Sequence, residues 1–207
     1  MSQRYPIPAA QHRVEEEINR SRFITTAAYT PTVEAARDFI AQCRAEFADA
    51  THNCWAYLVG PPGRTGQVGY SDDGEPHGTA GKPMWTVLQH SGVGDISVVV
   101  TRYFGGILLG KGGLVRAYSG GVKLALATLP LAQHVPQTEL VVVVDYTSVT
   151  PLQRSLPEFE AKIMSETYDA EVTYRLRLPK EQAAGLQQCL VELTNGQVLI
   201  EEAVSAP

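Results

Sequence analysis

Residues 96–129 read ISVVVTRYFGGILLGKGGLVRAYSGGVKLALATL, which places a strand, a glycine loop and a helix in direct succession. Ile96–Tyr103 is rich in β-branched residues, which favour a strand. Gly105–Gly113 contains five glycines and predicts a constrained loop, because glycine permits sharp turns and close backbone approaches. Leu114–Leu129 is apolar nearly all round, so we expect a buried helix. A domain built on this segment mixes strands and helices.

The same alternation of strands and helices extends toward the N-terminus. Between Thr32 and Phe47, apolar residues recur every three or four positions, as expected for a helix with one buried face. Sixteen of the 18 glycines lie between Gly60 and Gly121, so turns should be concentrated in the middle of the chain. The elements expected here are a strand at Phe23–Thr30, a helix at Thr32–Phe47, a strand at Asn53–Val59, a loop at Pro61–Gly69 and a second helix from Gly78–Gly81 to about His90.

The C-terminal part predicts a second folding unit. Pro130–Gln137 is expected to be a linker. After it, the patterns indicate a strand at Leu140–Val144, a helix with Pro151 at its first position, a hairpin of Ile163–Tyr168 and Val172–Leu178, a helix from Pro179 to Asn195 and a strand at Val198–Ile200. This order, βαββαβ, is a split-βαβ arrangement. We therefore predict an α+β fold of two domains, residues 1–135 and 136–207.

The charge is distributed unevenly between these two parts. The whole chain has a net charge of −5, and by this measure the protein as a whole does not look like a nucleic-acid binder. Residues 1–135 contain 12 Lys and Arg against 11 Asp and Glu, a balance of +1, whereas residues 136–207 contain 5 against 11, a balance of −6. An anion-binding surface is therefore expected in the first domain.

Cysteine usage, the N-terminal sequence and the short aliphatic stretches predict a cytoplasmic protein with no membrane partner. Cys43, Cys54 and Cys189 are widely spaced and odd in number, which fits free thiols in a reducing compartment. The N-terminal MSQRYPIPAAQH shows no export signal. The longest aliphatic stretch, Leu140–Val144, is too short to cross a bilayer.

The glycine loop resembles a phosphate-binding P-loop. Gly105–Gly112 matches G-x-x-x-x-G-K, but Gly112 occupies the position where Ser or Thr should bind Mg²⁺. True P-loop chemistry is therefore disfavoured. A simpler anion site remains open, because a glycine loop at a helix N-terminus beside Lys111 and Arg116 suits a phosphate. A tight connection with solvated cations explains the same residues equally well.

A second loop, Ser71–Pro83, reads SDDGEPHGTAGKP. Its three carboxylates, Asp72, Asp73 and Glu75, could bind Mg²⁺ through oxygen ligands. The favoured interpretation is an acidic turn that caps the following helix, because Asp, Gly and Pro are typical turn residues. His77 and Lys82 in this loop either join the anion site or are simply exposed.

Two further patterns suggest chemistry less strongly. His52 and Cys54 supply too few ligands for structural zinc, and a Cys–His nucleophile at this strand spacing is disfavoured. Cations beside aromatic residues suit phosphate contacts combined with base stacking. Ordinary core aromatics beside surface charges are the alternative. The pairs are Arg22-Phe23, Lys82 with Trp85, Arg102-Tyr103-Phe104 and Arg116 with Tyr118.

Four motifs, in this order and spacing, resemble the YigZ/IMPACT family. They are Ser21-Arg-Phe-Ile, His52-Asn-Cys-Trp-Ala-Tyr, the Ser71–Pro83 loop, and the segment from Arg102 to Tyr118. The resemblance implies a first domain like domain 2 of ribosomal protein S5 and a ferredoxin-like second domain like domain V of elongation factor G. It further implies a link to translation, which eukaryotic relatives regulate. It implies no catalytic residues and no cofactor.

These observations lead to one main hypothesis and two alternatives. The main hypothesis is a non-enzymatic protein associated with RNA or the ribosome, which regulates translation and contacts a protein partner there. Its phosphate-binding residues would be His77, Lys82, Arg102, Tyr103, Lys111, Gly112, Gly113 and Arg116. The first alternative is an enzyme that acts on a phosphorylated small molecule or nucleotide at the same loops. The second is a protein-interaction module built on the acidic second domain.

Overall fold

The computed structural model describes residues 4–63 and 67–202 and divides the chain into two compact units. One unit spans Tyr5–His134, and the other contains residues 135–202 together with Arg4. Both units combine helices and strands, so the α+β class predicted from the sequence is confirmed. None of the described helices combines the length and the apolar character that a membrane span requires.

The first unit is organised around a five-stranded sheet. Its strands and helices are β1 (Tyr5–Pro8), β2 (His12–Ile18), β3 (Ser21–Tyr29), α1 (Val33–Glu46), β4 (His52–Val59), β5 (Gln67–Ser71), α2 (Gly81–Gln89), β6 (Ile96–Tyr103), α3 (Gly110–Thr128) and β7 (Leu131–His134). The sheet order is β2-β3-β6-β4-β5, and a separate ribbon pairs β1 with β7. All of these pairings are antiparallel. Phosphate-binding loops of the P-loop type follow strands of a parallel sheet. The antiparallel sheet is therefore a second argument against P-loop chemistry at Gly105–Gly112.

Helices cover both faces of this sheet. Alternate residues of a strand point to opposite faces, so Val98 and Val100 of β6 pack beneath α2 and α3, while Val99 packs beneath α1. The larger core unites the strands with Met84 and Leu88 of α2 and, among others, Tyr118 of α3. The smaller core contains Phe39, Ile40 and Cys43 of α1.

Two glycines allow close backbone contacts that position the loops around this sheet. A Cβ on Gly105 would lie 1.9 Å from the carbonyl oxygen of Arg20, so the glycine loop can pass the β2–β3 turn only without a side chain. A Cβ on Gly81 would lie 2.7 Å from the backbone of Ser71, so α2 can begin directly against the end of β5.

Several local predictions were wrong. Pro130–Gln137 is not simply a linker, because Leu131–His134 forms β7 and pairs with β1 across the whole first unit. The glycine loop ends earlier than predicted, since α3 begins at Gly110 despite the weak helix propensity of glycine. Part of the predicted Pro61–Gly69 loop belongs to β5, while residues 64–66 lie outside the described residues.

The second unit has the predicted βαββαβ order. Its elements are β8 (Gln137–Val144), α4 (Val149–Ser155), β9 (Lys162–Tyr168), β10 (Val172–Pro179), α5 (Ala183–Leu193) and β11 (Leu199–Glu202). The sheet order β11-β8-β10-β9 is that of a ferredoxin-like fold, with all neighbours antiparallel. Both helix starts differ from the prediction. Pro151 takes the third helical position, and a short 3-10 turn at Lys180–Gln182 precedes α5.

Candidate functional site

A buried ion pair lies where β6 ends. Arg102 Nη1 is 2.6 Å from Glu75 Oε1, and only 6% and 3% of the two side chains are exposed. The Tyr118 hydroxyl donates a second hydrogen bond to the same oxygen, at 2.8 Å. The Arg102 guanidinium also lies over Phe104, 5.4 Å from the ring centroid. Arg102 is therefore already neutralised by a protein carboxylate.

His52 stands beside this pair in a defined tautomer. Its Nδ1 is 2.8 Å from the carbonyl oxygen of Asp73, which can only accept a hydrogen bond. In the neutral ring the proton is therefore on Nδ1, and Nε2 keeps its lone pair. This Nε2 lies 3.9 Å from Glu75 Oε1. His52 thus presents an acceptor when neutral and a partner for Glu75 when protonated.

A cavity of about 430 Å³ opens above these polar groups. Its polar lining includes His52, Glu75, Arg102 and Lys111. The apolar lining comes mainly from the glycine loop, the residue before it and the start of α3, namely Phe104, Leu108, Leu109 and Leu114. Pro76 adds to it from the acidic loop, Ser71–Pro83. The cavity therefore joins the two glycine-rich motifs that stood out in the sequence.

The three carboxylates of the acidic loop have separate structural tasks. Asp72 accepts hydrogen bonds from the backbone N–H groups of Gly78, Ala80 and Gly81 and so caps the start of α2. Asp73 binds the N–H of Asn53 and pairs with Arg44. Glu75 pairs with Arg102, as described above. The capping interpretation fits this arrangement. Across residues 4–63 and 67–202, no three His, Cys, Asp or Glu side chains gather as metal ligands.

The capping contacts also set the charge of Asp72. Burial alone would raise the pKa of this carboxyl, but the hydrogen bonds from Gly78, Gly81 and Ala80 outweigh it and hold the pKa below its usual value. Cys54 shows the opposite balance, because burial raises the pKa of its thiol and its Sγ–H donates to the carbonyl of Asp72. A buried thiol of this kind is a core residue rather than a nucleophile.

The residues predicted to bind phosphate fall into three groups by exposure. His77, Lys82, Lys111, Gly112 and Arg116 are exposed, whereas Arg102 is buried. Tyr103 is half-buried and donates its hydroxyl to Asp49 at 2.7 Å. Gly113, also half-buried, lies in the first turn of α3. Arg102 and Lys111 share the cavity, and Lys82 lines a groove of about 490 Å³ between α2 and α3.

The sequence reasoning missed Lys123. It lines the same groove as Lys82 and Ser119, and it is exposed. Lys123 follows Arg116 by seven residues, which is about two helical turns, so the two cations lie on the same outward side of α3. That spacing is visible in the sequence. Because Leu114–Leu129 is apolar nearly all round, the sequence predicts a buried helix and gives little weight to this outer face.

Comparisons with known proteins agree over both units. Residues 19–126 match the Impact N-terminal domain, and residues 142–197 match a domain of unknown function. The chain is 47% identical to IMPACT family member YigZ of Escherichia coli strain K12, over 93% of this chain and 94% of that protein. It is 42% identical to Protein IMPACT of Xenopus laevis over 31% of this chain and 20% of that protein. A solved structure titled as that of a hypothetical protein covers all of both chains with a TM-score of 0.71 and 44% identity.

Proposed function

This chain belongs to the IMPACT family, and from that premise we propose that it binds RNA through cations around the first turn of α3 and the adjoining α2–α3 groove. The proposed role is non-enzymatic and lies in the regulation of translation, with RNA in or near the ribosome as the binding partner. The proposed RNA-binding residues are Lys82, Lys111, Arg116 and Lys123.

The observation that carries this proposal is the contrast between paired and unpaired cations. Arg13, Arg22 and Arg44 each pair with a carboxylate of the first unit. Within the part of the chain that the structure describes, the four proposed residues are exposed and form no ion pair. Unpaired cations attract the phosphates of RNA, and binding is favoured because it releases the counterions that were condensed on the RNA.

The two helix starts differ in what they offer to a phosphate. The N-terminus of α2 is already occupied, because the carboxylate of Asp72 accepts its first N–H groups. The first turn of α3 has no acidic residue and no capping side chain, and it contains Lys111. Free N–H groups and a positive helix end favour an anion there. We therefore assign the main phosphate contact to α3.

The translational part of the proposal rests on family membership. The resemblance implies regulation of translation in eukaryotic relatives, but the match to the Xenopus protein covers only a fifth of that protein. Any partner that binds the rest of the eukaryotic protein is therefore no part of this proposal.

The proposal is tested by measuring the affinity of the purified chain for a fluorescein-labelled single-stranded RNA at increasing KCl concentrations. We expect the logarithm of the binding constant to fall linearly with the logarithm of salt. Arg116→Ala should reduce that slope by about 0.7, the value for one phosphate contact on a single strand. Arg37→Ala on α1 is the matched control, because it removes the same charge from an exposed site on the opposite side of the sheet. The absence of wild-type binding at low salt would exclude the proposal.

A further inference from the structure

We propose that the cavity between the two glycine-rich loops binds a single nucleotide unit, with the base inside the cavity and its phosphate at Lys111. This inference rests on the proposed function for the source of the nucleotide, which would be an unstacked residue of the bound RNA. A free nucleoside monophosphate presents the same chemistry and is distinguished by the experiment below.

The size and the apolar lining of the cavity fit a base. Its volume of about 430 Å³ lies within the range of about 300–1,000 Å³ that is typical of small-molecule sites. Phe104 is 45% exposed and Leu108 is 85% exposed, although both are large apolar residues. Side chains of this kind lose unfavourable contact with water when a flat apolar group covers them. A nucleobase is such a group, and it also stacks on an aromatic ring.

Arg102 holds the Phe104 ring in position for stacking. Its guanidinium lies 5.4 Å from the centroid of Phe104, and it is fixed in turn by Glu75 and by the ring of Phe23, which is 5.5 Å away. The Arg102 Nε atom is buried and has no hydrogen-bond partner among the described residues. A charged group that lacks one of its hydrogen bonds is costly to bury, so the chain maintains this arrangement at some cost in stability.

The polar floor supplies groups that can read the edge of a base. Neutral His52 offers the lone pair of Nε2 as an acceptor, whereas the Glu75 oxygen beside it already accepts hydrogen bonds from Arg102 and Tyr118. Bases present N–H donors on their Watson–Crick edges, and unstacked bases are recognised there by side chains. Fatty acyl chains and aliphatic side chains have no donor for Nε2 of His52, which favours a base as the occupant.

The phosphate end of the site is separate from this floor. Lys111 lines the cavity and lies in the uncapped first turn of α3, with the N–H groups of Gly112 and Gly113 following it. A ligand that covers Phe104 and Leu108 with a flat ring and reaches Lys111 with an anion therefore satisfies both ends. A nucleoside monophosphate combines these two features.

The test uses two neighbouring leucine-sized side chains of the same loop. Leu108 lines the cavity, whereas Ile107, which is 41% exposed, does not. We expect a nucleoside 5′-monophosphate to bind saturably in a calorimetric titration, and Leu108→Ala to weaken it about five- to tenfold through lost apolar contact. Ile107→Ala should leave the affinity within about twofold, the small effect expected of a surface substitution. Ribose 5-phosphate, which lacks the base, should bind more weakly and be insensitive to Leu108→Ala.

Titration of the same variants with single-stranded RNA separates this inference from the proposed function. If Leu108→Ala also weakens RNA binding without changing its salt dependence, the base of the bound strand occupies the cavity. The cavity proposal is overturned, and the proposed function stands, if RNA binds but the mononucleotide does not. The same conclusion holds if RNA binds and Leu108→Ala and Ile107→Ala weaken mononucleotide binding equally. If the mononucleotide binds as expected but RNA does not, the cavity is a site for free nucleotides and the proposed function is overturned.

Discussion

Arg102 and Glu75 form an ion pair inside the first unit, with Nη1 and Oε1 2.6 Å apart and both side chains almost fully buried. The pair links the end of β6 to the acidic loop that precedes α2. Because Glu75 neutralises Arg102, we assign this arginine a structural and positioning task, and the phosphate contacts fall to the exposed cations of α2 and α3.

Removing one partner of this pair should destabilise the first unit strongly. Arg102→Ala leaves Glu75 as an uncompensated buried charge, a change that typically costs about 3–5 kcal/mol. Urea unfolding of the full chain measures this free energy. Arg22→Ala is the matched control, because its pair with Glu15 is exposed and such pairs contribute about 0–1 kcal/mol. Equal losses in the two variants would contradict the structural role of Arg102.

The charge of Asp72 should make part of the stability depend on pH. Its pKa is lowered in the folded chain by hydrogen bonds that outweigh its burial, so its contribution is complete above the unfolded-state pKa of about 3.9 and is lost as the pH falls below it. Asp72→Asn should therefore cost about 1–2 kcal/mol at pH 7, because it removes a negative charge and one of two acceptor oxygens from the partly buried N-terminus of α2.

The difference in unfolding free energy between wild type and Asp72→Asn should shrink when both are unfolded in urea near pH 3, because the Asp72 carboxyl of the unfolded chain is then largely protonated and must lose its proton on folding. Asp145→Asn serves as a comparison, since Asp145 also has a lowered pKa, caused first by hydrogen bonds to Ser148, but lies in the second unit. A gap for Asp72→Asn that stays constant from pH 7 to pH 3 would refute the role of its charge.

The sequence predicted those parts of the fold that have strong local signals. The strand at Ile96–Tyr103 was predicted correctly, because most of its residues are β-branched and favour a strand over a helix. The βαββαβ order was found because alternation and turn residues are clear in each element. The strands β1 and β7 were missed, because each has four residues and is defined only by pairing with the other, far along the chain. Two prolines in β1 also weaken its local signal.

The candidate site was predictable by segment but not by side chain. Both glycine-rich loops were singled out from the sequence, and the structure brings them together around one cavity. The partner of Arg102 was not found, because three carboxylates lie within four residues and only the tertiary fold selects Glu75 among them. The sequence did not single out Leu108, because a leucine that the fold leaves exposed cannot be told from a buried leucine by residue type alone.

The β1–β7 ribbon should decide where the first domain can be cut. A fragment of residues 1–135 retains β7, whereas residues 1–130 lose it and expose Tyr5, which donates a buried hydrogen bond to Asp95 and stacks on His134. We expect both fragments to fold, and the shorter one to be less stable by about 1–3 kcal/mol in urea unfolding. Equal midpoints would show that β7 contributes nothing. Failure of residues 1–135 to fold would contradict the predicted domain boundary.

Lys123→Ala should weaken RNA binding as much as Arg116→Ala does. The two side chains are seven residues apart on the outward side of α3, about 10.5 Å along the helix axis, so each can meet a different phosphate of one strand. Each substitution should reduce the salt slope by about 0.7, and the double variant by about twice that, because separate contacts release separate counterions.

A salt titration of RNA affinity for the wild type, the two single variants and the double variant measures these slopes. Thermal melting of each variant should be unchanged, because exposed cations contribute little to stability. Arg154→Ala is the control in the other unit, since it removes one exposed charge from α4. If Lys123→Ala keeps the wild-type slope while Arg116→Ala lowers it, the RNA does not follow the outer face of α3, and the contact is confined to the first turn of the helix.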